Sequence, residues 1–576
     1  MTVQKTIQQR PVLAPAAFHL PVHPVLQRLY AHRGIAALPD LERSAAHLLP
    51  FTQLKGIHEA VELLLAARRA QLQLLIVGDF DADGATSTAT LLAGLRMLGF
   101  ANVDYLVPNR FEYGYGLTPE MAQAAIARGA QLIITVDNGI SAVDGVAVAK
   151  AAGVKVLVTD HHLPGHELPD ADAIVNPNQP GCAFPSKALA GCGVAFYLLL
   201  ALRATMRERG MFAAEGLAEP NIGDLLDLVA LGTVADVVPL DKNNRIIVHQ
   251  GLQRIRAGKV RPGIQALIDV ANRKTEKLTA QDFGFALAPR LNAAGRLDDM
   301  SIGIACLLSP DINNARRLAA ELDSLNLERR EIEQGMQQEA MAALSRLSLN
   351  SAQLPRCLCL YQSDWHQGVI GILAGRVKEA WHRPVLAFAK GDEGELKGSA
   401  RSVPGVHIRD LLEEVSTAHP GLIKKFGGHA MAAGLTVYEH QFDAFQQALY
   451  DIADKRIADE HLTAVVYSDG ELAPHELDMG LAQLLQQAGP WGQAFPEPVF
   501  HGQFKLVQQR LLGEKHLKLV LQDAAGKLHD AIWFYCDVKA WPDPQVTHVT
   551  LAYQLDINEF REQQNLQLLV RHLQKA

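Results

Sequence analysis

The sequence predicts a multidomain α/β protein: a parallel-sheet domain, a smaller α/β domain joined to it by a long helix, and a C-terminal β-barrel. Three observations predict this fold class. Short apolar runs alternate with Ala-rich helical segments from residue 70 to residue 180, a long amphipathic pattern covers residues 313–347, and about five strand-like runs follow residue 499. Strands and helices that alternate along a chain indicate a parallel sheet with helices on its faces.

Length and composition set bounds on this organisation. The chain has 576 residues, 48% of them hydrophobic and 20% charged, so a globular protein of about two to four domains is expected. The net charge of −8 gives no global sign of a nucleic-acid partner, because such binding depends on local patches. Six cysteines without a CxxC pair indicate free thiols in a reducing compartment. The first residues do not resemble a signal peptide, and the longest apolar run, residues 188–202, is too short for a membrane span. We therefore expect a cytoplasmic protein without a membrane segment. We also expect a monomer.

The first domain is expected at residues 1–330. Residues 185–330 should form a mostly helical extension of its sheet. The predicted strands are 74–78, 103–107, 131–136, 154–159 and 173–176, and the helices between them are 85–98, 119–129 and 142–152.

The second domain, with its connector, is expected at residues 331–455. Apolar residues keep to one face of the 313–347 pattern, which suits a helix between two lobes. Strand-like segments at 357–361 and 385–388 flank a helical segment near 368–380. The residues on the apolar face are Leu318, Leu322, Leu325, Ile332 and Met336.

The third domain is expected at residues 456–576. Its runs at 499–509, 516–522, 528–535, 547–557 and 565–572 suggest about five antiparallel strands, which fits a barrel of the oligonucleotide-binding (OB) type. Trp533, Phe534 and Tyr535 are consecutive on the third run. Alternation would send Phe534 to the opposite face from the other two, and core packing is the favoured interpretation over base stacking.

Acidic residues and histidines follow several apolar runs of the first domain. In a parallel sheet the carboxyl ends of the strands meet at one edge, where ligands bind. Several carboxylates in one crevice would repel each other, and a cation would remove that cost. An oxygen-rich set with imidazoles suits Mg²⁺ or Mn²⁺, and such sites commonly hold two ions. The residues are Asp79, Asp81, Asp83, Asp137, Asp160, His161, His162 and Asp236.

A calcium loop is the first alternative for Asp79-x-Asp81-x-Asp83-Gly84. That loop needs a glutamate at its twelfth position, where this chain has Thr90, and it follows a helix rather than a strand. Both departures argue against calcium. The reaction class favoured by a two-ion carboxylate site is hydrolysis of a phosphate ester.

Several motifs together resemble the DHH phosphoesterase superfamily. The resemblance covers nearly the whole chain, and the GGHxxAAG element is typical of the second, DHH-associated (DHHA1) domain. It implies a metal-dependent, processive 5′→3′ exonuclease that releases mononucleotides from single-stranded DNA in recombination and repair. The motifs are 78–84 (GDFDADG), 109–116 (NRFEYGYG), 136–139 (VDNG), 160–162 (DHH), 232–240 (GTVADVVPL), 288–296 (APRLNAAGR), 363–371 (SDWHQGVIG), 398–402 (GSARS), 427–434 (GGHAMAAG), 490–492 (PWG) and 496–500 (PEPVF).

The resemblance also implies roles for individual residues. His162 would contact the scissile phosphate or orient water, and Asp160 would hold the histidine pair. Many members carry a histidine four residues before Asp81, where this chain has Val77, so Asp79 would substitute as a ligand. The implied metal ligands are Asp79, Asp81, Asp83, Asp137, His161 and Asp236, with Asp137 also catalytic. The predicted nucleic-acid contacts are Arg110, Arg290, Arg296, Arg376, Ser399, Arg401 and His429. The arginines are predicted because guanidinium groups suit phosphate oxygens, with an interlobe ion pair as the alternative for each, and the resemblance implies the contacts of Ser399, Arg401 and His429.

A basic stretch adds a second possible DNA contact. Residues 242–277 carry nine Lys or Arg against two acids, and this patch either tracks phosphates or is an ordinary solvated surface. By resemblance, the partners beyond DNA would be a single-strand-binding protein and a helicase.

Two other functions compete with the exonuclease. One is a phosphodiesterase of the same superfamily acting on short oligonucleotides or cyclic dinucleotides, although those relatives are more compact. The other is a nonenzymatic DNA-binding replication subunit with a degraded site. The expected set of metal ligands is intact except at Val77, which disfavours the nonenzymatic subunit.

Overall fold

The computed structural model describes residues 5–14, 19–109, 115–350, 354–560 and 563–576, without the side chains of 345–350 and 560. Among these residues, every helix is too short or too polar to cross a membrane. All six cysteines are free thiols, as predicted. Arg110 lies outside the described residues, so its predicted role in DNA binding stays a prediction.

The first domain is built on the predicted parallel sheet, whose strand order is β3-β2-β4-β5-β6. Strands β2 and β4 are fully buried, because helices cover both faces and every side chain except Thr135 is apolar. The elements are β1 (Lys5–Gln9), α1 (Pro24–Ala31), α2 (Ile57–Arg69), β2 (Leu74–Val77), α3 (Ala82–Met97), β3 (Val103–Leu106), α4 (Pro119–Ala127), β4 (Leu132–Val136), α5 (Val143–Ala151), β5 (Lys155–Thr159) and β6 (Ala173–Val175).

The predicted helical extension follows the sheet. It is interrupted by a π-helical segment, Phe283–Leu287, that runs directly into the helix carrying Asn292. The helices are α6 (Gly191–Glu208), α7 (Met211–Glu215), α8 (Leu226–Ala235), α9 (Lys242–Arg256), α10 (Pro262–Val270), α11 (Ala280–Asp282), α12 (Ala288–Leu297) and α13 (Ser301–Leu308).

Helix α14 (Ile312–Asn350) is the predicted connector. Leu318 and Leu322 are buried in the core of the first domain, whereas Met336 and Leu344 are buried in the core of the second. One helix therefore contributes to two cores, which fixes the lobes relative to each other.

The second domain is a five-stranded sheet of order β10-β11-β9-β8-β7, in which only the β7–β8 pair is parallel. Its elements are β7 (Leu358–Tyr361), α15 (Ile370–Trp381), β8 (Val385–Lys390), β9 (Glu395–Arg401), α16 (Ile408–Ala418), β10 (Lys425–Gly428), β11 (Ala432–Tyr438) and α17 (Phe442–Arg456).

A short link precedes the barrel. Strand β12 (Ala464–Ser468) pairs in parallel with β1, and helix α18 (Met479–Ala488) follows. The buried Asp469 accepts two hydrogen bonds from Arg33, at 2.9 and 3.0 Å, and lies 3.1 Å from His32. This charge network ties the N-terminal segment to the start of the third domain.

The third domain is a closed barrel of order β13-β14-β15-β17-β16, formed by β13 (Phe500–Leu512), β14 (His516–Gln522), β15 (Leu528–Trp533), β16 (His548–Phe560) and β17 (Gln563–Lys575). The OB-type barrel is confirmed, except that the β15–β17 pair is parallel. Core packing was wrong for Phe534 and Tyr535, which are 48% and 75% exposed. Strand β15 ends at Trp533, and Tyr535 has a φ of 53°. The alternation of side chains along a strand therefore does not extend to Phe534 and Tyr535, which is why the prediction from it failed.

Candidate metal centre and cleft

The loop after β2 places three aspartates at the N-terminus of α3. Asp81 caps the helix by accepting a 2.9 Å hydrogen bond from the amide of Gly84. Asp83 is 1% exposed and accepts hydrogen bonds from the amides of Gly191 (2.6 Å) and Cys192 (3.0 Å), at the start of α6. Two helix N-termini thus hold carboxylates here, which their backbone amides and dipoles favour.

Asp137 follows β4 in a strained conformation. Its φ of 60° is rare for a residue with a side chain, and such strain persists where the surroundings enforce it. The next residue supplies that enforcement, because the side-chain Nδ2 of Asn138 donates hydrogen bonds to the carbonyls of Val77 (3.0 Å) and Val136 (2.9 Å). Asp137 is thereby aimed from the strand end toward His161.

Asp160 organises the histidine pair after β5. Its Oδ1 accepts hydrogen bonds from the amides of His161 (2.7 Å) and His162 (3.1 Å) and lies 2.8 Å from Nδ1 of His162. Its Oδ2 accepts a 2.9 Å hydrogen bond from the amide of Ile140. This geometry agrees with the supporting role that the resemblance implied for Asp160.

Asp236 reaches the same place from a helix rather than from a strand end. It caps the C-terminus of α8, and the following Val237 has a φ of 60°. The Nε2 atom of His161 lies 3.0 Å from Oδ1 of Asp137, 3.4 Å from Oδ2 of Asp236 and 4.0 Å from Oδ2 of Asp83. All these residues approach one imidazole edge.

The cluster is electrostatically unfavourable in the absence of a cation. Burial first, and then the neighbouring carboxylates, raise the pKa of Asp137 and of Asp236 well above the ordinary value. Burial, followed by the charge of His162, lowers the pKa of His161. Burial opposes protonation of His162 as well, but the hydrogen bond to Asp160 and the charges of Asp160, Asp79 and Asp81 together outweigh it and raise the pKa of His162 to about 9.

The residues present fit a divalent metal centre. Within the described chain, Oδ1 of Asp137, Nε2 of His161 and Oδ2 of Asp236 are buried without any hydrogen-bond partner, although they lie close together. Buried polar atoms are seldom left unpaired, so converging orphan lone pairs indicate a bound cation. Three groups have possible ligand atoms within 4.8 Å of one another: Asp137, His161 and His162; Asp83, His161 and Asp236; and Asp79, Asp81 and Asp137.

The third of these groups bears on the departure at Val77. Val77 is fully buried and packs in the apolar core beneath the sheet edge, so its side chain offers nothing to a metal. Asp79 instead lies within ligand distance of Asp81 and Asp137. The arrangement is compatible with Asp79 as the substitute ligand.

A cleft of about 1400 Å³ lies between the second domain and the part of the first domain that carries Asp160 and His162. His162 lines one wall and His429 the other, close enough for the charge of His162 to add to burial in lowering the pKa of His429. Ser399, Gly434 and Gly427 are neighbours across β9, β11 and β10, and both glycines face open space. A polymer backbone could approach this flat face closely.

The predicted arginines divide by their partners. Arg290 forms an ion pair with Asp323 (2.8 Å), and Arg376 forms one with Glu333 (2.8 Å). Arg296 donates a 3.0 Å hydrogen bond to the carbonyl of Gly368, which links the two domains. Arg401 contacts the hydroxyl of Ser399 (3.1 Å) and has no carboxylate within 4.0 Å among the described side chains. Arg401 is therefore the one of these four arginines that has neither a carboxylate nor an interdomain hydrogen-bond partner among the described residues.

Three contributors to the site lie inside the motifs named above, but the sequence assigned none of them a role of its own. The hydroxyl of Tyr115 donates to the carbonyl of Asp137 (3.1 Å) and lies 3.3 Å from Nδ1 of His162. Asn292 of α12 accepts a 2.8 Å hydrogen bond from the amide of Ala82 and so supports the start of α3. A Cβ at Gly232 would lie 2.1 Å from Thr86 and 2.9 Å from Asp83, so this glycine lets α8 approach α3.

The basic stretch at 242–277 is mostly neutralised by protein contacts. Arg254 pairs with Asp224, Arg261 with Asp227 and Arg273 with Asp282. Lys274 and Lys277 both pair with Glu559 of the barrel. These ion pairs join helices and domains and leave fewer of the basic side chains available for phosphate. They argue against the interpretation that this stretch tracks the DNA backbone.

Three family models match successive parts of the chain. The model described as DHH family, N-terminal domain, matches residues 73–233; the DHHA1 domain matches 354–455; and the RecJ OB domain matches 468–572. Their order is that of the three domains in the structure.

Full-length relatives and solved structures agree with these matches. The chain is 57% identical over 576 residues to the single-stranded-DNA-specific exonuclease RecJ of Dickeya dadantii, with 100% of each chain covered. It is 56% identical over 574 residues to that of Escherichia coli, again covering 100% of each. The structure of RecJ in complex with Mn²⁺ from Thermus thermophilus superimposes with a TM-score of 0.81 at 30% identity, covering 99% of this chain and 80% of that one. The corresponding Mg²⁺ complex gives 0.75 at 29% identity, covering 99% and 79%.

Proposed function

The chain belongs to the family of RecJ single-stranded-DNA-specific exonucleases, and from this premise we propose that it is a metal-dependent 5′→3′ exonuclease that hydrolyses single-stranded DNA to 5′-mononucleotides. The observation that carries the proposal is the set of buried, unpartnered atoms of Asp137, His161 and Asp236. Asp137 and His161 lie within ligand distance of His162, which lines the cleft. We further propose that the protein acts in DNA recombination and repair.

Six residues would hold two ions. They are Asp79, Asp81, Asp83, Asp137, His161 and Asp236, which together with His162 make up the three overlapping groups of possible ligands. When bound, Mg²⁺ or Mn²⁺ supplies Lewis-acid stabilisation of the phosphate and lowers the pKa of water.

The protein's own residues would position the phosphate. Asp160 keeps His162 protonated and fixed through Nδ1, so that its other ring nitrogen can donate to a phosphate oxygen in the cleft. Across the cleft, Arg401 and Ser399 would hold the strand, with His429 facing His162. Helix α14 contributes to both cores and holds the second lobe across an open cleft from the first. This arrangement favours a polymer substrate over a compact dinucleotide.

The direct test is digestion of oligonucleotides labelled at either end, with Mg²⁺ or Mn²⁺ and with EDTA. We expect mononucleotides released from the 5′ end of single strands, little attack on blunt duplex, and no product in EDTA. Release from the 3′ end would refute the polarity. Cleavage of only dinucleotides or cyclic dinucleotides would favour the short-substrate phosphodiesterase instead.

Exposed aromatic side chains on the barrel give a prediction about strand binding. Phe534 and Tyr535 both pack edge-on against His516, at 5.1 and 4.9 Å between ring centroids, and Lys515 lies 5.7 Å from the Tyr535 ring centroid. Base stacking on such rings is worth about 1–3 kcal/mol per base. We expect Tyr535→Ala with Phe534→Ala to weaken binding of a long single strand at least about tenfold by fluorescence anisotropy.

The same double variant should leave cleavage of saturating short oligonucleotides nearly unchanged, because the metal centre is untouched. The control is Tyr467→Ala, which removes another exposed tyrosine, one located on β12 outside the barrel. If the parent, the double variant and Tyr467→Ala bind the long strand with equal affinity, Phe534 and Tyr535 do not contact the DNA.

Localisation and partners complete the proposal. Six free thiols support a reducing compartment, and we place the protein in the cytoplasm as a monomer. Family membership supports a single-strand-binding protein and a helicase as the partners that supply its substrate.

A further inference from the structure

A second cavity lies at the junction of the catalytic domain, helix α18 and the barrel. Its volume is about 510 Å³, within the range of small-molecule sites, and its lining includes none of the metal-centre residues. Side chains from α9, the segment before the π-helix, α18, and strands β16 and β17 line it. A ligand here would touch two domains at once.

One part of the lining is positive. Arg43 and Arg256 are half-buried, and neither has a carboxylate within 4.0 Å among the described residues. Arg43 is held by the carbonyls of Gln487 (2.9 Å) and Ala488 (2.8 Å), and Arg256 by that of Leu278 (2.8 Å). These bonds fix the two guanidinium groups without neutralising them, which is the arrangement that suits an anion.

His249 lies with these arginines. Burial, and then the charges of Arg43 and Arg256, lower the pKa of His249 to about 4. The imidazole is therefore neutral at physiological pH and adds a hydrogen-bonding group without adding charge.

Another part of the lining consists of hydrogen-bond acceptors. Glu497 and Asp556 both line the cavity, and Glu497 accepts a 2.9 Å hydrogen bond from Gln554. Burial raises the pKa of both carboxyl groups, and Arg571, 3.9 Å from Glu497, opposes this increase. Trp491, fixed by its hydrogen bond to the carbonyl of Leu485 (2.9 Å), supplies an aromatic wall.

We propose that this cavity binds a free nucleoside 5′-monophosphate, with its phosphate at Arg43 and Arg256 and its base edge at Glu497 and Asp556. The positive part of the lining suits the phosphate of a nucleotide, the acceptor part suits the hydrogen-bond donors of its base, and Trp491 offers an aromatic surface. The volume of the cavity is large enough for a nucleotide. Guanine should bind best, because its N1–H and amino group offer adjacent donors to a carboxylate. The choice of a nucleotide rests on the proposed function, since the reaction releases this class of product.

Binding can be measured apart from catalysis. Calorimetric titration would use the full-length Asp137→Asn protein in EDTA, which prevents metal-assisted binding at the other site. The probes are dGMP, dTMP, deoxyguanosine, inorganic phosphate and a single-stranded oligonucleotide. We expect dGMP to bind at least about tenfold more tightly than dTMP or deoxyguanosine, and to raise the melting temperature.

Two variants separate the two parts of the lining. Arg256→Gln should weaken dGMP at least about tenfold while leaving deoxyguanosine unchanged, and Glu497→Gln should reduce the preference for dGMP over dTMP. The matched control is Lys259→Gln, an exposed basic residue just beyond α9, which should change neither. Thermal melts check that each variant folds.

The inference is overturned if dGMP does not bind at millimolar concentration, if both variants bind it as the parent does, or if only the oligonucleotide binds. None of these readouts depends on DNA cleavage. A failed exonuclease assay would therefore leave this result standing, and a failed titration would leave the exonuclease intact.

Discussion

Replacing Asp137 by asparagine is expected to reduce the rate of DNA hydrolysis at least about 10³-fold, a loss of about 4 kcal/mol of transition-state stabilisation. Asp137 belongs to two of the three candidate ligand groups, and one of its oxygens is a buried orphan 3.0 Å from His161. Asparagine keeps the size of the side chain but removes the charge that would attract a cation. Because a neutral side chain does not repel phosphate, binding of single-stranded DNA should be retained.

The measurement is single-turnover cleavage of a 5′-labelled strand beside anisotropy of the same strand. Asp170→Asn is the matched control, since Asp170 is an exposed acid of the same domain paired with Lys150 at 3.0 Å. It should retain full activity. A turnover within tenfold of the parent for Asp137→Asn would mean that the metal centre is assigned wrongly.

Sequence pattern predicted the site best where chemistry and strand position coincide. Asp137 and Asp160 each follow a buried strand of a parallel sheet, so topology alone brings them to one edge. The motif at 232–240 predicted Asp236 as a metal ligand, but the sequence did not indicate that Asp236 lies at the end of a helix. Apolar runs of that length fit a buried strand or a buried helix equally well.

Long-range contacts escaped the sequence altogether. Asn292 supports Ala82 from 210 positions away, and no periodicity connects them. Arg290 and Arg376 resembled DNA contacts because arginine suits phosphate, yet carboxylates that pair with them lie far along the chain or on another element. Whether an arginine is free for a phosphate depends on such tertiary partners.

The metal-free protein is expected to lose stability as the pH rises, and Asp137→Asn should remove much of that loss. Burial and neighbouring carboxylates raise the pKa of Asp137 in the folded state. Between its unfolded pKa, near 3.8, and the raised folded value, the folded protein binds a proton that the unfolded chain has released. Stability therefore falls as pH rises through this window. Each tenfold difference in proton affinity is worth about 1.4 kcal/mol.

Asparagine at this position resembles the protonated carboxyl and cannot ionise. In EDTA the variant should match the parent near pH 4 and become progressively more stable than it toward pH 8, when both are unfolded by urea. Mn²⁺ should reverse the order, because the cation stabilises the ionised cluster of the parent and finds fewer charges in the variant. The Asp170→Asn control should follow the parent under both conditions. If the stability of the parent protein does not change across this pH range and is unaffected by Mn²⁺, the carboxylates do not repel one another. The argument for a shared cation would then fail.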